Sequence, residues 1–199
     1  MSEPELFPLF LKLAGRQCVV VGAGTVAEAK IDSLLRSGAQ VLVVAPKATA
    51  TVRALAAEGR IRWEQRTFAA TDLAGAVLAV AATNSREGNQ AVFDECRRQA
   101  ILCNAVDDPE RCDFFYGAVV RRGALQIAIS TGGSSPGLAA RIRRELEDRF
   151  GPEYAPWLAH IAERRRQILA AGLPPEQKKG ELERLASQAS LEEFIAGRK

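Results

Sequence analysis

The feature that most restricts the fold lies over residues 19–35, where an apolar strand runs into a glycine turn and directly out into a helix. Residues 17–21 make a run that is apolar after Gln17 and rich in β-branched valine, and it stops at Gly22, the pattern of a strand covered on both faces in a parallel sheet. Residues 27–37 follow with helical spacing of apolar side chains and end at Gly38, a residue suited to a helix C-terminus. Residues 41–44 give a second buried strand, closed by Pro46. Together they make one βαβ unit of about the length such units need.

The alternation continues. Residues 52–58 read as helix, 61–64 as a short strand, 77–82 as a strand ending in Thr83 and Asn84, 87–99 as helix and 102–106 as strand. Strands alternating with helices across short turns predict an α/β, Rossmann-type, doubly wound parallel sheet over residues 1–113. The pattern then changes. Residues 116–121 and 125–130 form a hairpin around Arg121-Arg122-Gly123, a small-residue loop covers 130–136, and residues 137–150 form a helix bearing Arg141, Arg143 and Arg144. Residues 114–150 are therefore expected to be a small α+β segment and residues 151–199 a helical one, broken at 172–175.

In Gly22-Ala23-Gly24-Thr25-Val26-Ala27 the first glycine permits a tight turn, and the second lets backbone approach a pyrophosphate. Ala27 stands where a third glycine allows close packing of helix on strand. Amides at the helix N-terminus then face the phosphates, assisted by the helix dipole. A glycine turn can also serve packing alone, but the strand before it and the helix after it favour dinucleotide binding. The acid expected at the end of the second strand, which would hold a ribose hydroxyl, is replaced by Ala45-Pro46-Lys47. Lys47 could favour a 2′-phosphate, so spacing alone leaves NAD against NADP open. Ligands of such sheets bind outside the carboxyl ends of the strands. That places Ala82, Thr83, Asn84 and Asn104 among the candidate coenzyme residues and draws Asp107 and Asp108 into view. Either aspartate could cap the turn before Pro109 or act as a base, and pattern does not decide.

Composition excludes several classes. With 47% apolar and 26% charged residues the chain has no disordered or collagen-like character. A net charge of +3 is too small to coat nucleic acid, although residues 114–199 hold 14 Lys/Arg against 10 Asp/Glu. Cys18, Cys96, Cys103 and Cys112 form no C-x-x-C pair, so inert packing thiols are expected and no metal site is proposed. Neither a signal sequence nor a run of about 20 apolar residues is present, and a cytoplasmic location with no membrane partner is expected.

Five ordered stretches carry a family resemblance over residues 5–170: Leu6-Phe7-Pro8-Leu9-Phe10-Leu11, then Val20 through the glycine loop to Lys30, Ala81-Ala82-Thr83-Asn84, Cys103-Asn104-Ala105-Val106-Asp107, and Ser130-Thr131-Gly132-Gly133-Ser134-Ser135-Pro136. The chain resembles the precorrin-2 dehydrogenase and sirohydrochlorin ferrochelatase family, the N-terminal portion of siroheme synthase. The resemblance implies NAD-dependent oxidation of precorrin-2 to sirohydrochlorin, and in many members insertion of ferrous iron to give siroheme. It implies NAD as coenzyme, Asp107 as the acid/base of both steps, and Ser130, Thr131, Gly132, Gly133 and Ser134 beside the tetrapyrrole. It also implies a homodimer formed through residues 114–150, with methylation of the macrocycle left to a separate upstream methyltransferase because the chain ends at Lys199. The substrate's many carboxylates suit Arg121, Arg122, Arg141 and Arg144.

His160, the one histidine, could serve as a second base or metal ligand, but a histidine on a helix beside Arg164-Arg165-Arg166 is ordinarily a surface residue. Trp157 and Leu158 read as core. Residues 172–199 match nothing that can be assigned. A nucleotide-sensing Rossmann module without catalysis is the alternative reading; it accounts for residues 1–113 and leaves the loop at 130–136 without a purpose.

Overall fold

In the computed structural model, which describes residues 5–198, the chain divides into two units, one running to Phe115 and the other from Tyr116 onward. The first is built from β1 (Gln17–Val21), α1 (Thr25–Arg36), β2 (Gln40–Val44), α2 (Ala50–Ala57), β3 (Arg62–Glu64), β4 (Leu78–Ala81), α3 (Arg86–Arg98) and β5 (Leu102–Ala105). All five strands are parallel, in the order β3-β2-β1-β4-β5. From the central β1 the chain winds outward through α1 and α2 on one side. It then returns to β4 and winds through α3 to β5 on the other. Because such crossovers are right-handed, opposite directions of travel put α1 and α3 on opposite faces. This is the expected doubly wound sheet.

The central strands are apolar because both faces are covered. Val19, Val20, Val43, Val44, Ala79 and Val80 are fully or almost fully buried. On one face Val92 and Cys96 of α3 join Val19, Val21, Ala79, Ala81, Cys103 and Ala105 in a single cluster. α1 buries Ala27, Ile31 and Leu34, an i, i+4, i+7 stripe. Truncating Ile31 to alanine there would cost about 2–5 kcal/mol. Three of the four thiols are buried; burial pushes Cys18 up to about 11, and a hydrogen bond with Cys96, then burial, raises Cys103. They are packing residues.

The second unit opens with the antiparallel hairpin β6 (Ala118–Arg122) and β7 (Leu125–Ile129), followed by α4 (Pro136–Arg149), α5 (Tyr154–Ala170), α6 (Pro175–Leu185) and α7 (Gln188–Ala196). Arg122 pairs with Leu125, so the hairpin turn is Gly123-Ala124, one position later than the sequence suggested. Gly123 takes φ 59, the conformation a two-residue hairpin turn needs at its first central position. Helix starts also differ by a residue or two from the periodicity. α2 begins at Ala50 because the Thr49 hydroxyl accepts the Val52 N–H at 3.3 Å. α5 begins at Tyr154 and takes Pro156 into its first turn, where a missing N–H costs nothing. Among the described residues no helix is long and apolar enough to cross a membrane.

Candidate functional site

The carboxyl ends of β1, β2, β3 and β4 open into a cleft of about 730 Å³ in the first unit. Gly22 and Gly24 line it from the end of β1, Ala45, Pro46 and Lys47 follow from β2, and Ala82, Thr83 and Asn84 from β4. Gly22 is confined on all sides. Its φ is 110, its N–H donates to Val44 O at 2.9 Å, and a Cβ built on it would stand 2.2 Å from Ala82 O. Only glycine passes there. Gly24 is different, since a Cβ on it meets nothing within 4 Å of protein. It precedes α1, and no side chain caps that helix, whereas hydroxyls of Thr49, Ser85 and Ser135 cap α2, α3 and α4. First-turn amides that no side chain engages, at the mouth of a cleft, suit a phosphate group. The residues present therefore fit a dinucleotide.

Thr83 is tied down from α3: its N–H and its hydroxyl both reach Asn89 Oδ1, at 3.0 and 2.7 Å. The sequence reading missed the wall formed by Arg66, Thr67 and Phe68 beyond β3, and also Ser85, which caps α3, with Gly88 and Ala91 of that helix. No motif marks them. Conversely, Thr25, Val26 and Ala27 do not line the cleft; Ala27 is fully buried on the inner face of α1, and what this stretch offers a ligand is its backbone. Asn104, expected among the coenzyme residues, lies outside the lining of the cleft and serves as a brace. It is 7% exposed, and its amide donates to Phe114 O at 2.8 Å and to Cys112 Sγ at 3.3 Å.

That brace positions the turn beyond β5. Cys103 N–H donates to Asp113 Oδ2 at 2.9 Å and Asp113 N–H returns to Cys103 O at 2.7 Å, so the end of β5 is held from both sides. Val106 N–H reaches Ala81 O at 2.9 Å, and the chain then turns through Asp107 at φ 61, a left-handed conformation uncommon outside glycine. Two adjacent carboxylates now separate in role. Asp108 pairs with Arg111 across a short 3₁₀ turn, Pro109–Arg111. Asp107 is exposed and takes no part in that pairing. Burial pushes the Lys30 ammonium of α1 below its ordinary range, with Asp107 and then Cys112 acting in the opposite sense. Asp107 thus stands within the electrostatic reach of the glycine-loop helix.

In the second unit the loop before α4 is knit by its own hydroxyls: Gly132 N–H donates to Ser130 Oγ and Ser135 N–H to Thr131 Oγ1, each at 3.2 Å. Gly133 and Ser134 are exposed. Arg122, one of the arginines expected to face substrate carboxylates, donates to Phe150 O at 2.7 Å and Glu147 O at 2.9 Å and so closes the end of α4. Arg141 pairs with Glu145. Arg121 and Arg144 are exposed. His160 is exposed on α5, its ring 5.3 Å from that of Phe194, and among the described residues no cluster of three or more His, Cys, Asp or Glu could hold a metal.

Residues 9–118 match the family model described as "Putative NAD(P)-binding", and residues 122–149 the model described as "Sirohaem biosynthesis protein central". Siroheme synthase of Methylococcus capsulatus is 38% identical over 98% of this chain and 41% of its own length. Siroheme synthase of Methylobacillus flagellatus is 40% identical over 82% of this chain and 35% of its own length. The chain thus spans only about two fifths of the curated relatives it matches. The solved structure of SirC, a precorrin-2 dehydrogenase, aligns with a TM-score of 0.78 and 29% identity, covering 96% of this chain and 98% of that one.

Proposed function

The chain belongs to the siroheme synthase family, and from that premise we propose that it oxidises precorrin-2 to sirohydrochlorin in the cytoplasm with NAD as coenzyme. The observation that carries the proposal is the cleft at the carboxyl ends of the strands, where Gly22 and the uncapped α1 suit a pyrophosphate and Asp107 stands at the end of β5. β5 is two strands from β1, about 10 Å along the sheet, a distance that a nicotinamide mononucleotide half can span.

The bound dinucleotide supplies the acceptor for a hydride leaving the macrocycle. Loss of hydride leaves the ring system positive, and it becomes neutral again by giving up a proton. Asp107 is the group for that transfer, as an exposed carboxylate in the turn that follows the braced strand end. No covalent intermediate with the protein is needed. The loop of Ser130, Thr131, Gly132, Gly133 and Ser134, with Arg121 and Arg144, is assigned to holding the substrate's carboxylates, and a homodimer is the assigned assembly. The substrate arrives from an upstream methyltransferase. Ferrous iron would enter the product on the macrocycle's own nitrogens, with Asp107 again receiving protons.

The test supplies the purified chain with precorrin-2 and NAD. The expected result is the absorption spectrum of sirohydrochlorin rising together with that of NADH. Dinucleotide binding without turnover on authentic substrate, and no response to added sirohydrochlorin, would favour a nucleotide sensor and defeat the proposal.

A further inference from the structure

Rossmann-type sites that prefer NAD usually carry an acid at the end of the second strand, which accepts from the ribose hydroxyls and repels a 2′-phosphate. Here that place is Pro46, and among the described residues no Asp or Glu lines the cleft. The lining instead includes two cations, Lys47 after β2 and Arg66 after β3. By charge alone this wall favours NADP.

Arg66, however, is not a free cation. Its Nη1 and Nη2 donate to the two oxygens of Asp72 at 2.8 and 2.6 Å, a planar two-point pairing. The Asp72 side chain is 4% exposed and also accepts the Ala69 N–H at 2.8 Å, so the carboxylate is fixed from behind. The Arg66 side chain is 44% exposed, which leaves part of the guanidinium open. Glu64, 3.8 Å from Arg66 Nε, closes a chain of alternating charge with Arg62. A guanidinium so paired keeps its planar face for an adenine ring, while its charge is largely cancelled within a few ångströms.

We propose that the Arg66–Asp72 pair is the specificity determinant at the adenosine end of the coenzyme site: Asp72, one step behind the cleft wall, does through Arg66 what an acid on β2 does elsewhere in this fold, and tilts the site toward the unphosphorylated ribose. Asp72 is in this respect a positioning residue. It touches no ligand, and it sets both the orientation of Arg66 and the net charge that a ribose 2′ substituent meets. The inference rests on the coenzyme reading of the cleft.

The experiment measures dissociation constants of NAD and NADP by titration calorimetry on the full chain, without tetrapyrrole, for the unaltered protein, Asp72→Asn and Arg66→Gln. The unaltered protein should bind NAD more tightly. Asp72→Asn should move the NAD-to-NADP preference toward NADP by tenfold or more. Arg66→Gln, which leaves the Asp72 carboxylate with the Ala69 N–H and without its two-point cation partner, should weaken NAD at least threefold. A thermal melt of each variant establishes that it is folded. A preference in Asp72→Asn within twofold of the unaltered protein, or NAD affinity unchanged in Arg66→Gln, overturns the assignment while leaving the coenzyme site standing. Failure of the unaltered chain to bind either dinucleotide overturns the coenzyme reading and this inference with it.

Discussion

Replacing Gly22 and Gly24 separately by alanine should divide the two tasks of the glycine loop. At Gly22 the added methyl would lie 2.2 Å from Ala82 O, 2.6 Å from Ala82 C and 3.1 Å from Thr83 N, all backbone atoms that cannot swing aside. Ordinary contact would require β1 and the chain after β4 to part by about 1 Å. That separation strains the bond that joins them, Ala82 N–H to Val21 O at 2.8 Å, and, as the end of β1 shifts, the bond that ties it to β2 on its other side, Gly22 N–H to Val44 O at 2.9 Å. Losing two such bonds costs about 1 kcal/mol each. Holding alanine at φ 110 adds roughly 1–3 kcal/mol. The total of about 3–5 kcal/mol is a large part of a domain's stability of about 5–15 kcal/mol. At roughly 2–4 °C per kcal/mol, the first unit should melt some ~6–20 °C lower. Gly24→Ala meets no protein atom and should change stability by less than about 1 kcal/mol, yet its methyl would project where a pyrophosphate must approach. It should therefore weaken NAD about tenfold or more while melting near the unaltered temperature. Thermal denaturation followed by circular dichroism, paired with NAD titration, reads both. A Gly22→Ala protein that melts within 2 °C of the unaltered one, or a Gly24→Ala protein that binds NAD equally well, would refute the reasoning.

Asp107→Gly should relieve the left-handed turn and raise stability by up to about 1 kcal/mol while abolishing precorrin-2 oxidation, and a variant that is both less stable and still active would contradict the role given to Asp107. The hydrogen bond from Arg66 holds the Asp72 carboxyl below its usual range, so its contribution to stability is full above about pH 4 and is lost as pH falls through the lower folded-state value. The melting difference between the unaltered protein and Asp72→Asn should accordingly be constant near neutrality and shrink below about pH 4; a constant gap down to pH 2 would count against the pairing. Arg122→Ala removes two charged hydrogen bonds to the end of α4 and should destabilise the second unit by roughly 2–4 kcal/mol, with little change in KM for precorrin-2, whereas a large KM effect at unchanged stability would restore Arg122 to the substrate.

What could be read from the sequence depended on how far the governing interactions reach along the chain. β1, β2 and β4 are built on apolar runs, and β5 on one interrupted by Asn104, because both sheet faces are covered, and α1 and α3 follow each glycine or polar turn at helical spacing, so the sheet was legible within single windows. The glycine loop was legible for the same reason. The cleft wall of Arg66, Thr67 and Phe68 was not. Arg66 meets Asp72 only because the 3₁₀ turn Ala70–Leu73 folds back, and that segment has no period to betray it. Asp107 and Asp108 look equivalent as letters; a second 3₁₀ turn puts Arg111 beside Asp108 and leaves Asp107 exposed. The bracing of Asn104 depends on residues eight to ten positions later, beyond any local pattern.

The uncapped start of α1 has a thermodynamic corollary. Serine at position 24 could cap the helix and stabilise the resting protein by a few tenths of a kcal/mol, but its hydroxyl would compete with phosphate for the same amides. With glycine there, the helix is completed by whatever anion binds it. The coenzyme is then also a folding ligand: at a hundredfold excess over Kd it adds about 2.7 kcal/mol to the first unit. Coenzyme supply would thus govern how long the chain survives as well as how fast it works.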